Sequence, residues 1–134
     1  MLRKVIINNQ GYSTKDRLIR AKQYSSLCKL LSDQNLIVIC CVVCMYDEVR
    51  EWNRKNIKNY FEVFIDASIE TLIKRDKKGI YSSALKGEMN DVIGINEKFE
   101  KPKNSHLVIA NEYKNDLSEI VGKIKQSIKW GEFA

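Results

Sequence analysis

The nine residues LIVICCVVC at positions 36–44 constrain the fold of this chain more than any other segment. Side chains of a strand point alternately to its two faces, so a strand formed here would be apolar on both. Such strands lie in the interior of parallel sheets whose faces are covered by helices. The run reaches only about half a membrane span. The segment therefore predicts a parallel sheet in an α/β domain.

The patterns on either side of this run predict two more strands and four helices. Ser13 begins the first helix, because its hydroxyl can cap the backbone N–H of Asp16. Helices alternate with strands along the chain, which is typical of a doubly wound parallel sheet. The predicted helices lie at about 13–34, 47–57, 68–75 and 117–128, and the predicted strands at 36–44, 60–66 and 106–111.

Three strands make a small doubly wound sheet, and no strand precedes the first helix. A strand that is apolar on both faces needs pairing partners on both of its edges. We therefore expect an incomplete sheet, with strand structure missing upstream of Met1.

Residues 75–95, RDKKGIYSSALKGEMNDVIGI, show neither the alternation of a strand nor the apolar stripe of a helix. They hold three of the six glycines of the chain and many charged side chains. Segments of this length without secondary structure are usually lids, binding loops or disordered regions. We predict a lid loop at 76–98 within a single domain that spans 1–134.

The net charge of +6 favours anionic partners. Lysine and arginine are scattered, however, and no basic run is interleaved with aromatic residues as a nucleic-acid groove requires. The N-terminus lacks the apolar region of a signal peptide. We therefore expect a cytoplasmic protein that binds neither nucleic acid nor membranes. Cations near the carboxyl ends of the strands favour an anionic nucleotide or a sugar phosphate as ligand.

Several common catalytic patterns are absent from the 134 residues. No GxxxxGK[ST] or GxGxxG motif occurs. The single histidine, His106, begins a predicted strand and is expected to be structural, so a Ser/His/Asp set is not indicated. The cysteines Cys28, Cys40, Cys41 and Cys44 have no second Cys/His pair with metal-ligand spacing, which favours buried free thiols over a metal site.

Several segments resemble motifs of the adenylyl-sulfate kinase (APS kinase) family, in the same order and register. GYSTKDR resembles the family pattern G-F-S-x-x-D-R, and CCVVCMYDEVREWNR resembles S-x-I-S-P-Y-x-x-x-R. FIDAS and KRDKKGIYSSALKGEMNDVIGINEKFEKP resemble F-x-D-x-P, R-D-x-K-G-L-Y, a charged lid and Y-E-x-P. The resemblance runs from Met1 to about Asn111 and implies a three-layer P-loop kinase fold with a parallel sheet.

The resemblance also implies an activity. Kinases of this family transfer the γ-phosphoryl group of ATP, with Mg²⁺, to the 3′-hydroxyl of adenosine 5′-phosphosulfate, which gives PAPS in sulfate activation. Family members are often dimers, so the resemblance allows a homodimer. In the family, a strand, a phosphate loop and a D-G-D strand end precede the position of Met1. We therefore expect the chain as written to lack the ATP phosphate cradle and to be inactive.

The resemblance implies roles for individual residues. Arg3 and Arg17 match arginines that hold the phosphosulfate, and Lys78 matches a lysine that reaches phosphate or sulfate oxygens. Arg17 and Lys78 are thus the expected catalytic cations, and no residue is expected to bind metal. The other matched positions are Tyr12, Cys44, Tyr46 and Val92 for the acceptor substrate, and Arg75 and Asp76 for the ATP side.

Some residues depart from the family pattern near the acceptor pocket. Arg20 replaces an asparagine, Leu85 an arginine and Val92 an aromatic residue, and the pattern's S-x-I-S-P becomes CVVCM. Two alternatives therefore stay open. One is a related P-loop kinase that acts on another nucleotide or on a sugar. The other is a non-catalytic domain that binds a nucleotide or a partner subunit.

Overall fold

The computed structural model describes residues 11, 13–43, 46–97, 99, 101–112 and 116–128. The chain divides into two compact units, residues 1–60 and residues 61–134. Within the described residues, no helix combines the length and the apolar character that a membrane crossing requires. The helices are α1 (Thr14–Ser32), α2 (Asp47–Asn56), α3 (Ile69–Lys74), α4 (Ile80–Leu85) and α5 (Leu117–Ser127), and the strands are β1 (Val63–Asp66) and β2 (Leu107–Ala110).

The first unit contains α1 and α2, which pack against each other. Ser13 caps α1 as the sequence predicts, because its hydroxyl accepts the backbone N–H of Asp16 at 3.2 Å and donates to the Asp16 carboxylate at 2.6 Å. Ser25 of α1 and Val49 and Arg50 of α2 are buried. The two helices thus form the small core of this unit.

The strand predicted at 36–44 is not formed in its described part, residues 36–43, which has no regular secondary structure. Most of its apolar side chains are exposed instead, with Ile39 at 84% and Val43 at 77%. A strand exists only through the N–H and C=O groups of a neighbouring strand, and no described residue forms a ladder with this segment. The prediction of a third strand is therefore wrong for the described residues.

The prediction of buried thiols is also wrong for the described cysteines of this run. Cys40 and Cys41 are exposed, Cys28 is half-buried, and all three are free. A hydrogen bond from the Cys40 thiol lowers the pKa of Cys28 to about 7, against the opposing effect of burial. The described residues contain no group of three potential metal ligands.

The second unit is built on a parallel pair of strands, in which Val63 lies opposite Leu107 and Asp66 opposite Ala110. Helix α5 packs against β2, and Ile120 of α5 is buried, whereas Leu117 at the start of the helix is 73% exposed. The predicted class, α/β with a parallel sheet, is confirmed.

His106 has the structural position that the sequence predicts, just before β2. Its Nδ1 accepts the backbone N–H of Glu62 at 3.0 Å. Its ring stacks on that of Phe61, with the ring centroids 5.2 Å apart. The imidazole therefore joins the two chain segments that enter the sheet.

The predicted lid segment contains more regular structure than its sequence pattern indicates. Residues Ile80–Leu85 form α4, and residues 92–97 form a tight turn in which Ile93 bridges Glu97. The prediction of a segment without secondary structure is wrong at these two places. A six-residue helix is too short to display an apolar period, so the pattern could not reveal it.

Candidate functional site

The carboxyl ends of β1 and β2 form one edge of the sheet, because the strands are parallel and in register. Asp66 ends β1 there, and its backbone carbonyl accepts the N–H of Asn111 at 2.6 Å. The Asp66 carboxylate also pairs with Lys101, with Oδ2 and Nζ 2.5 Å apart. Ligands of α/β proteins bind beyond this edge, so the loops that leave it are the candidate site of this unit.

Arg75 lies at this edge, at the end of α3. Its guanidinium donates to two backbone carbonyls that follow β2, those of Asn111 at 3.1 Å and Glu112 at 2.8 Å. The sequence predicts Arg75 at the ATP side. The contacts in the structure show that it ties α3 to the end of β2.

Glu112 is a polar residue of this edge that the motifs do not indicate. Its carboxylate accepts the backbone N–H and the hydroxyl of Ser68, both at 2.9 Å, and the hydroxyl of Thr71. Hydrogen bonds from Thr71 and then from Ser68 hold the pKa of Glu112 below its ordinary value. The one signal for this contact is Ser68, which stands where the family pattern F-x-D-x-P has proline.

Asp76 shapes the turn that begins the predicted lid. Its carboxylate accepts the N–H of Ile80 at 2.9 Å, and the N–H and hydroxyl of Ser82 at 2.9 and 2.7 Å. Gly79, inside the turn, has φ +68°, a conformation that favours glycine. The Asp76 carboxylate is therefore hydrogen-bonded to the start of α4, and the exposed Lys78 lies in the turn between Asp76 and α4.

Val92, predicted to contact the acceptor substrate, is buried within the lid segment at 7% exposure. Its backbone N–H donates to Asn96 Oδ1 at 2.7 Å, and Asn96 Nδ2 donates to the carbonyl of Met89 at 2.8 Å. Leu85, which replaces an arginine of the family pattern, is 58% exposed. The predicted acceptor contact of Val92 stays a prediction.

In the first unit, two predicted residues lie near the start of α1. Arg17 is in the first turn, where its N–H donates to the Ser13 carbonyl at 2.9 Å. Tyr46 donates its hydroxyl to the Thr14 carbonyl at 2.9 Å. Arg20, which replaces the asparagine of the family pattern, donates to the carbonyl of Gly11 at 2.7 Å. The structure thus gathers Arg17, Tyr46 and Arg20 around one helix start.

The predicted site residues are divided between the two units. Arg17 and Tyr46 belong to residues 1–60, whereas Arg75, Asp76, Lys78 and Val92 belong to residues 61–134. Arg3, Tyr12 and Cys44 lie outside the described residues.

Comparison with known proteins supports the fold and the family. The family model described as adenylylsulphate kinase matches residues 1–110. A cytidine diphosphoramidate kinase of Campylobacter jejuni is 37% identical over 116 residues, covering 87% of this chain and 68% of that protein. A probable adenylyl-sulfate kinase of Aeropyrum pernix is 31% identical over 134 residues, covering 95% of this chain and 73% of that protein.

A solved structure with the same fold is that of the Mycobacterium tuberculosis APS kinase, in complex with AMPPNP and APS. It matches with a TM-score of 0.84 and 27% sequence identity, and the match covers 96% of this chain and 75% of that chain. The described elements therefore follow the arrangement of a P-loop kinase.

The hydrogen bonds of Asp76 predict a pH-dependent cap on α4. Ser82 contributes most to lowering the pKa of Asp76. The cap should therefore be complete above the ordinary carboxyl pKa and be lost as the pH falls through the lower pKa of the folded state. We expect Asp76→Ala at pH 7 to speed amide exchange at 80–82 about fivefold, as for the loss of a helix cap.

Hydrogen exchange resolved by NMR checks this expectation, with an acid titration of the same amide signals. Glu88→Ala, at an exposed carboxylate of the same segment, is the matched control. Equal exchange rates in the Asp76 and Glu88 variants would contradict the assignment of the cap.

Proposed function

Because the chain belongs to the adenylylsulphate kinase family and has its P-loop kinase fold, we propose that it acts on adenosine 5′-phosphosulfate. In this reaction the ribose 3′-oxygen of the acceptor forms a bond to the γ-phosphorus of ATP. The bond from that phosphorus to the β,γ-bridging oxygen breaks, the hydroxyl proton is released, and ADP leaves. The observation that carries the proposal is the family match over residues 1–110, within which the motif residues keep their order.

Charge and position support roles for two cations in this transfer. Phosphoryl transfer depends on positioning the reactants and on neutralising charge on the phosphoryl oxygens. Arg17 offers a planar guanidinium that can grip a phosphate or sulfate group with two hydrogen bonds. Lys78 offers an exposed point charge on the turn that begins the lid. We assign Arg3 and Arg17 to the phosphosulfate, Tyr12 to the adenine of the acceptor, and Lys78 to phosphate or sulfate oxygens.

ATP and Mg²⁺ are the expected co-substrate and metal of such a kinase. When bound, magnesium neutralises phosphate charge. The described residues contain no group of three carboxylate, histidine or cysteine side chains that could hold a metal ion. Magnesium in kinase sites is held largely by substrate phosphates and water, so we assign no step of the reaction to a metal ion held by these side chains. We assign Arg75 and Asp76 to the ATP side, where Arg75 fixes the end of α3 and Asp76 shapes the turn that follows it.

We further propose that residues 76–98 close over the bound nucleotides. The segment leaves the carboxyl edge of the sheet, carries Lys78, and is held by a few local bonds around α4 and the turn at 92–97. Closure of such a lid excludes water from the reaction.

Closure predicts a change in protection on ligand binding. Adenylyl sulfate should slow amide hydrogen exchange at 77–96 while leaving the amides of α5 unchanged. The measurement is exchange with mass spectrometry, with and without the ligand, on a longer chain that carries a strand, a phosphate loop and a D-G-D segment ahead of Met1. Equal protection of 77–96 in both states would rule out a ligand-ordered lid.

A second candidate is a related kinase that acts on another nucleotide. The 37% identity to the cytidine diphosphoramidate kinase favours it, as do the departures at Arg20, Leu85 and Val92. Under this candidate the fold and the ATP chemistry are the same, and the acceptor nucleotide differs.

An acceptor comparison separates the candidates. The longer chain, assayed with ATP and magnesium, should phosphorylate adenylyl sulfate in preference to cytidine diphosphoramidate and to simple sugars. The 134-residue chain should show no measurable turnover, because its sequence has no glycine-rich cradle for the phosphates. A preference for the cytidine nucleotide would select the second candidate. Absence of transfer to any acceptor would favour a non-catalytic binding domain.

The role of Arg17 can be tested in the same longer chain. Arg17→Ala should cost roughly 2–5 kcal/mol of transition-state binding, as for a charged contact with the reacting anion. Lys55→Ala, at an exposed position of α2, should cost under about 1 kcal/mol. Steady-state kcat/KM for adenylyl sulfate is the measurement, and similar losses in the two variants would remove Arg17 from the site.

A further inference from the structure

The two residues that follow β2 contact both ends of α3. At its start, the Glu112 carboxylate accepts the N–H and hydroxyl of Ser68 and the hydroxyl of Thr71. At its end, Arg75 donates to the backbone carbonyls of Asn111 and Glu112. Because α3 has only six residues, these two sets of bonds bracket the whole helix.

Ser68 makes one of these bonds possible. Proline, which the family pattern F-x-D-x-P has at this position, lacks the backbone N–H that Ser68 donates to Glu112. The backbone itself does not require serine, because the φ of Ser68 is −63°, within the range that proline adopts. The contact between Ser68 and Glu112 is therefore a property of this chain's own residues.

A helix as short as α3 depends on such bonds. Isolated helices of this length do not form in water, because nucleation costs more than one or two hydrogen bonds return. Hydrogen bonds to a carboxylate are among the stronger ones in proteins. Thr71, Ser68 and the positive charge of Arg75 all lower the pKa of Glu112, so the acceptor stays ionised to a lower pH than an ordinary glutamate.

We propose that Glu112 is a positioning residue, which fixes α3 on the end of β2 and thereby sets where the lid begins. The lid turn, with Asp76 and Lys78, follows Arg75 directly. Movement of α3 would therefore move the cation that is assigned to the phosphate or sulfate oxygens. The inference rests on the proposed kinase function, because the lid matters only for bound nucleotides.

Hydrogen exchange on the 134-residue chain tests whether Glu112 holds α3 on the end of β2, without any assay of activity. Glu112→Ala should speed exchange at 72–80 about tenfold, because opening of α3 no longer breaks bonds to the carboxylate. Ser68→Pro should speed it at least as much, because it also removes the Ser68 hydroxyl that accepts the Thr71 N–H at the start of α3. Thr71→Val, which keeps the side-chain shape, should speed it less. Glu119→Ala, at an exposed carboxylate paired with Lys123 on α5, should leave these amides unchanged.

Steady-state kinetics of the longer chain test whether the contact between Glu112 and α3 also positions the residues of the candidate site. Glu112→Ala should lower kcat/KM for adenylyl sulfate about tenfold, and Glu112→Gln should restore part of it, because the amide oxygen still accepts the Ser68 N–H. The losses in Glu112→Ala and Thr71→Val should not add in the double variant, since the two residues share a bond.

Each result decides the proposal. Unchanged exchange at 72–80 in both Glu112→Ala and Thr71→Val would overturn it. Faster exchange at 72–80 with an unchanged kcat/KM would also overturn it, because the bonds at the two ends of α3 would then stabilise the helix without positioning the site. If the unsubstituted longer chain phosphorylates no nucleotide, the proposed function fails, and the exchange comparison still decides whether Glu112 holds α3.

Discussion

The parallel ladder between β1 and β2 is the interaction on which the second unit depends. Because the two strands run in the same direction and in register, Asp66 and Ala110 end at one edge. From that edge one segment leads into α3 and the lid, and the other leads to Asn111 and Glu112. Antiparallel strands would place these two segments at opposite ends of the sheet. The contacts that bracket α3 are thus a consequence of strand direction.

The need for backbone pairing also explains which of the predicted elements the structure lacks. The cap of α1 by Ser13 and the helix predicted at 117–128 lie within single elements, and both are found as predicted. The apolar run at 36–43 has the composition of a buried strand, but composition does not provide the neighbour that a strand must bond. Without a ladder among the described residues, Ile39 and its neighbours stay exposed.

In the candidate site, the motifs indicate which residues matter but not which partners those residues bond. The likeness to R-D-x-K-G-L-Y selected Arg75, Asp76 and Lys78. It did not show that Arg75 donates to carbonyls beyond β2 or that Asp76 caps α4. These partners are set by the tertiary fold and by a helix too short to show a period. Glu112 belongs to no motif. The only sequence signal for its contact is Ser68, which stands where the family pattern has proline.

The hydrogen bonds that these motif residues make within the protein bear on how well the motifs identify the acceptor. Arg75 and Asp76 bond other parts of the protein itself, Arg75 the segment after β2 and Asp76 the start of α4. A motif match at such positions therefore supports the family more strongly than any one substrate. Discrimination between acceptors has to come from positions that vary while the fold is kept. Arg20, which bonds the Gly11 carbonyl beside the start of α1, and the exposed Leu85 are positions at which this chain departs from the family pattern. Kinases of one fold can thus share most motif residues with this chain and still act on different nucleotides.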